Sequence, residues 1–177
     1  LPAPVAGADG FRVLATAAGL ITLTLALIVF IGYDWQQGGY QFYEWYDWLP
    51  ELERHCRDRK VIFLASVFDE ASVARLEPFV PAHKIASYEM THLPLVRYIA
   101  GKAKPVLMST GTANLDEVRE AVEAVRESGN PPLALMQCTA AYPAPLTSLN
   151  VRAITTMRDT FSVPVGLSDH SEDPLVG

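Results

Sequence analysis

Val163-Pro164-Val165-Gly166-Leu167-Ser168-Asp169-His170 is an apolar run that breaks abruptly into a hydroxyl, a carboxylate and an imidazole. A short apolar run reads as a buried strand, whereas the polar groups that follow it belong at a strand's mouth. The same pattern occurs four more times upstream. Runs Val61 to Ala65, Lys84 to Ser87, Pro105 to Met108 and Leu133 to Gln137 end on Ser66, on Ser87 and Glu89, on Ser109 and Thr110, and on Cys138 and Thr139. Their starts lie 21 to 30 residues apart, and each gap holds a helical pattern. Short, doubly buried strands alternating with amphipathic helices predict a parallel sheet, because each parallel return needs a crossover.

The clearest of the helices is Leu115 to Ser128. Asn114 is a good N-cap with Glu117 as its capping-box partner, Leu115, Val118, Ala121, Val122 and Val125 recur at helical spacing, and Gly129 then Pro131 end it. A second helix is expected from about Leu149 to Phe161, with Val151, Ile154, Met157 and Phe161 inward. Near Trp48, Leu49, Leu52 and Cys56 share one face of a shorter helical stretch. Five repeats with polar residues at every strand end predict part of a (β/α)8 barrel, in which successive strands feed one site, rather than a doubly wound open sheet. A full barrel takes about 250 residues, so roughly three repeats are expected to be missing from 177.

Composition narrows the partners. The formal net charge of -6 and the lack of a basic stripe exclude a nucleic-acid partner, since affinity for a polyanion comes from clustered Lys and Arg. Cys56 and Cys138 are far apart with no CxxC spacing, which predicts two reduced, buried thiols in a cytoplasmic setting.

The first 42 residues differ in kind. Val13 to Ile31 is uncharged between Arg12 and Asp34, close to the roughly twenty apolar residues a bilayer-spanning helix needs. Tyr33, Trp35 and Tyr40 would suit an interfacial belt. With Gly38-Gly39-Tyr40-Gln41-Phe42, this piece resembles the beginning of the chain M membrane subunit of proton-pumping NADH:quinone oxidoreductases. The pattern changes near Tyr40 to Glu44, so residues 1–42 are expected to form a membrane-like segment or a chimeric join, and 43–177 an incomplete barrel. The alternative function carried by this piece is a membrane-anchored or respiratory-complex subunit fragment.

Taken alone, the strand ends describe a polar cup with Lys84, Glu89, hydroxyls at Ser87, Ser109, Thr110 and Ser168, and the imidazole of His170. A lysine and several hydroxyls suit a phosphate-bearing ligand, the lysine as a point charge and the hydroxyls as donors. His170 is a metal-ligand candidate, but one histidine does not make a metal site and an isolated one is more often structural.

The segment from about Tyr43 onward resembles the central barrel of the sialic acid synthases, which make N-acetylneuraminate, legionaminate and pseudaminate. The motifs are Phe63-Leu64-Ala65-Ser66-Val67-Phe68-Asp69, Lys84-Ile85-Ala86-Ser87-Tyr88-Glu89, Lys104-Pro105-Val106-Leu107-Met108-Ser109-Thr110-Gly111, Gln137-Cys138-Thr139-Ala140-Ala141-Tyr142-Pro143 and Gly166-Leu167-Ser168-Asp169-His170. The resemblance implies a transferase of sialic acid biosynthesis that condenses phosphoenolpyruvate with an N-acylated amino sugar. It implies that Lys84, Ser109 and Ser168 hold the phosphate, that Glu89 and Tyr142 face the sugar, and that His170 is one of two histidines on a divalent ion, Mn2+ with Mg2+ as the alternative. Ser66, Ser87, Thr110 and Asp169 complete the expected binding set, with Lys84 and Glu89 as the catalytic pair. That ion would act as a Lewis acid on the sugar aldehyde.

Departures from the family pattern are equally specific. Val67 replaces a rigid proline, Gln137 a histidine and Ala140 a phosphate-holding Ser or Asn. The family's first two strand motifs, with their Glu and Lys, have no counterpart here. Its second metal histidine would lie beyond Gly177, as would the C-terminal antifreeze-like domain through which complete members form homodimers. The expectation is therefore a synthase fragment, inactive by itself.

Overall fold

A computed structural model describes residues 48–174 and Val176. They fall into two compact units, 48–66 with 71–81, and 67–70 with 82–176. The membrane-like run Val13 to Ile31 and the candidate join near residue 43 lie outside the described residues. Among the described residues no helix is long and apolar enough to cross a membrane.

The first unit holds α1 (Leu49–Asp58) and nearly all of α2 (Glu70–Leu76). Leu49 and Cys56 of α1 are buried, as the helical spacing requires, and its charged positions point outward, where Arg57 meets Glu53 at 2.7 Å. The run Val61 to Ala65 differs from expectation. Phe63, Leu64 and Ala65 are buried, yet the run joins no ladder among the described residues. A ladder needs successive bonds; just past the run, the second unit's Val67 offers one long bond, its N–H to the Lys84 carbonyl at 3.4 Å.

The second unit is built on four strands in place of the expected five: β1 (His83–Ile85), β2 (Val106–Ser109), β3 (Leu133–Cys138) and β4 (Val165–Ser168). All pair in parallel in the order β1-β2-β3-β4. The crossovers carry α3 (Leu93–Ala100), α4 (Leu115–Glu127) and α5 (Arg152–Phe161). Right-handed crossovers between strands in unbroken order keep every helix on the same face. A doubly wound sheet reverses its order to cover both faces, and no reversal occurs here.

Consequently one parity of strand residues is buried and the other is not. His83, Ile85, Val106, Met108, Leu133 and Leu135 are buried, while Lys84, Leu107, Ala134 and Met136 are half-buried. The strands are therefore covered on one face, not two, among the described residues. β4, expected to be buried, is half-exposed along most of its length, because it is the edge of the described sheet.

Local signals place the helices. Asn114 Oδ1 accepts the N–H groups of Asp116 (2.9 Å) and Glu117 (3.1 Å), and Glu117 Oε2 accepts that of Asn114 (2.8 Å), closing the capping box. Gly129, at φ +104°, turns the chain out of α4. The expected Leu149–Phe161 helix starts three residues late: Asn150 is left-handed at φ +46°, and Val151 is half-exposed at the cap instead of inward. Met157 and Phe161 are buried as expected, and Arg126 of α4 donates to the Phe161 carbonyl at 2.7 Å, satisfying the end of α5.

In the intact protein, Asn114→Ala removes the Oδ1 that accepts the Asp116 and Glu117 N–H groups at the start of α4. Urea unfolding should show a loss of about 1 kcal/mol with an unchanged slope. No measurable change would mean that α4 is held by packing alone.

Candidate active site

Alternation along parallel strands puts Lys84, Ser109, Cys138 and Ser168 on the face away from the helices. The register pairs Ser109 with Met136 and Cys138 with Ser168, and paired residues in a parallel sheet share a side. These side chains meet where the strands end. Lys84 Nζ lies 3.5 Å from Ser109 Oγ. Ser168 Oγ lies 3.5 Å from His170 Nε2, and Cys138 Sγ lies 3.6 Å from Nδ1 and 3.8 Å from Nε2 of the same ring.

His170 is held from several directions. Its Nδ1 is 2.9 Å from the Thr139 carbonyl, which makes Nδ1 the protonated nitrogen and leaves Nε2 as the acceptor. Tyr142 stacks on the ring with centroids 4.3 Å apart and planes at 26°. The His170 carbonyl accepts the Ala144 N–H at 2.8 Å. The loop after β3 thus fixes the residue that follows β4.

Burial sets the electrostatics. Desolvation pushes the Lys84 amine below its ordinary value, and nearby Cys138 and Glu89 oppose this only in part. Desolvation likewise raises the Glu89 carboxyl, against its own backbone hydrogen bond and the Lys84 charge. Glu89 Oε2 is buried without a hydrogen-bond partner. A cation and an acid that both lean toward neutrality await a charged or polar ligand.

Other expected site residues have their polar atoms engaged in the fold. Ser87 Oγ accepts the Gly111 N–H at 3.0 Å, and its carbonyl accepts from Thr112 Oγ1 at 2.7 Å, tying the loops after β1 and β2 together. The Thr110 hydroxyl donates to the Met136 carbonyl at 3.1 Å and lies against Met157, so it faces away from the cup. Asp169 accepts from the Ser171 N–H (2.9 Å) and hydroxyl (3.1 Å), closing the turn after β4. Ser66 belongs to the first unit, where it is half-buried.

Three features were not assigned a role from sequence. Cys138 is buried beside His170. Gln137 donates its amide to the Leu149 carbonyl at 3.1 Å, locking the loop before α5. Gly111 passes so close to β3 that a Cβ would lie 3.0 Å from the Cys138 carbonyl and sulfur. Strand parity was the signal for Cys138, since it continues the Lys84 and Ser109 face. Both cysteines are free and buried, as expected.

His170, with Nδ1 anchored on a backbone carbonyl and Nε2 available, has the geometry of a metal-ligating histidine. Among the described residues, no three His, Cys, Asp or Glu side chains gather into a metal-holding cluster.

Comparison with known proteins gives this arrangement a context. The NeuB family model matches residues 38–176. The spore coat polysaccharide biosynthesis protein SpsE of Bacillus subtilis is 42% identical over 130 residues, 72% of this chain and 35% of that protein. Its crystal structure superposes with a TM-score of 0.70, covering 72% of this chain and 36% of that one. Pseudaminic acid synthase of Campylobacter jejuni is 33% identical over 174 residues, 94% of this chain and 51% of that protein. The crystal structure of an N-acetylneuraminic acid synthetase from Leptospira borgpetersenii, solved with citrate, matches at TM-score 0.66 and 30% identity, covering 68% of this chain and 42% of that one. The chain thus spans about a third to a half of the length of these relatives. These matches give no support to the respiratory-subunit resemblance of residues 1–42.

The Lys84 shift has a pH signature. Its folded value lies below the unfolded 10.5, so between the two the unfolded chain binds more protons and stability rises with pH. The charged form, present at lower pH, is the destabilising one. Lys84→Met should therefore raise stability at neutral pH, and the wild-type-minus-variant difference in urea unfolding free energy should rise with pH through the alkaline range; a constant difference would show that Lys84 is solvated.

Proposed function

This chain belongs to the NeuB family, and on that premise we propose that the protein carrying it condenses phosphoenolpyruvate with an N-acylated amino sugar to give a sialic acid-type nonulosonate. The observation that carries the reading is the convergence of Lys84, Ser109, Ser168 and His170 at the ends of β1, β2 and β4. Its scaffold is part of a (β/α)8 barrel, supported by strand order without reversal and helices on one face.

Lys84, Ser109 and Ser168 hold the phosphate of phosphoenolpyruvate. A phosphate dianion beside Lys84 supplies the counter-charge that burial withholds, so substrate binding favours the ammonium and fixes C3 of the enol against the sugar. Glu89, kept toward its protonated form by burial, faces the sugar and can donate a hydrogen bond to it or hand it a proton. Tyr142 covers His170 and presents an exposed aromatic face to the sugar's acyl group. Carbon–carbon bond formation at C3 leaves C2 electron-poor, water adds there, and phosphate departs from the grip of Lys84.

His170 is the residue that would hold a divalent ion, manganese or magnesium, through Nε2. When bound, such an ion supplies Lewis-acid polarisation of the sugar carbonyl. The intact protein, a homodimer, completes the ligand set. The barrel works in the cytoplasm, where phosphoenolpyruvate is available.

Steady-state kinetics of the intact protein with phosphoenolpyruvate, an N-acylmannosamine and manganese tests this. Lys84→Met should raise KM for phosphoenolpyruvate by about ten- to a hundredfold, the worth of one charge-assisted hydrogen bond, with a smaller effect on KM for the sugar. Absence of any nonulosonate product from the wild-type protein, or an unchanged phosphoenolpyruvate KM in the variant, would overturn the assignment.

A further inference from the structure

We propose that a second ligand site lies outside the cup, in the cleft between the amino-terminal ends of α4 and α5, and that it takes a hydroxylated sugar acid. The identity of the ligand as the enzyme's own class of product rests on the function proposed above; the existence of the site does not.

The cleft has a volume of about 480 Å3, within the usual range for small-molecule sites. Gln137, Thr139, Ser148, Arg152 and Thr156 line it, and of the site residues expected from sequence only Thr110 does so. Lys84, Ser109, Ser168 and His170 are not part of its wall.

The lining specifies the chemistry. The hydroxyl hydrogens are already spent: Thr139 donates to the Ser148 carbonyl (3.0 Å), Ser148 to the Pro145 carbonyl (2.8 Å) and Thr156 to the Arg152 carbonyl (3.4 Å). Their oxygens are left as acceptors. Gln137, more than nine-tenths buried, also lines the cleft and gives its amide nitrogen to the Leu149 carbonyl. These spare acceptors, together with the side-chain amides of Asn114 and Asn150 in the same lining, take a ligand rich in hydroxyl or amide groups.

Arg152 supplies the complement. It is exposed, it is the one Lys or Arg in the lining, and none of the ion pairs among the described residues involves it. A single guanidinium fork matches a single carboxylate. Many hydroxyls and one carboxylate define a sugar acid, whereas a neutral sugar leaves Arg152 idle and a nucleotide brings more charge than one cation offers.

The cleft and the cup share the end of β3. Gln137 and Cys138 both border the cleft, and Cys138 also lies against His170. Thr139 joins the two directly, its hydroxyl tied to the Ser148 loop and its carbonyl accepting from His170. A sugar acid seated on Gln137 and Thr139 therefore bears on the residue that positions His170, and inhibition by it should be non-competitive with phosphoenolpyruvate.

Titration calorimetry of the intact protein with N-acetylneuraminate tests the site. Saturable binding should persist in Lys84→Met, weaken at least tenfold in Arg152→Gln, and weaken as much when the methyl ester, which lacks the carboxylate, replaces the acid. Binding that is lost in Lys84→Met but kept in Arg152→Gln would put the ligand in the cup and overturn the proposal, as would no saturation in the millimolar range. Arg152-dependent binding upholds the second site even in a protein that fails to bind phosphoenolpyruvate, in which case the condensation reading alone falls.

Discussion

The register of four parallel strands is the constraint on which the site depends. Because β1 to β4 pair in sequence order, each crossover returns to the same side, and strand parity is inherited from one strand to the next. Lys84, Ser109, Cys138 and Ser168 come from segments spread over more than eighty residues, yet they share a face for this single reason. A shift of one residue in any strand would exchange its polar end for a core residue, and apolar burial under α3, α4 and α5 opposes such a shift.

That burial has an electrostatic consequence. Burial on the face turned away from the helices pushes the Lys84 amine below and the Glu89 carboxyl above their ordinary values. The fold thereby stores two groups whose preferred states change when a ligand replaces lost hydration. His170 differs: it is anchored by a carbonyl, a stacked ring and a backbone hydrogen bond, so its geometry is fixed before any ligand arrives.

Much of this was legible in the sequence. The capping residues of α4, the apolar strand runs and their polar ends are local signals, and with helical spacing they located α1, α4, α5 and four strands to within a few residues. The fifth run, Val61 to Ala65, shows the limit, since apolar composition reports burial and says nothing of whether a neighbouring strand offers a ladder. Val151 shows another, because a helix's true start depends on one left-handed residue, Asn150. Among the polar candidates, placement near a strand end was legible, whereas hydrogen-bond commitment was not. Thr110 donates its hydroxyl to the Met136 carbonyl and Asp169 accepts from Ser171, and no sequence pattern distinguishes a committed polar group from an available one.

Ser87 carries a consequence for motion. Two bonds to one residue, from Gly111 and from Thr112, couple the loops that follow β1 and β2. Thermal displacement of either loop is shared by the other, so fluctuations carry Lys84 and Ser109 in the same direction and largely cancel in the gap between them. The fold steadies the width of that gap by making its two walls wander together, without having to hold either one still.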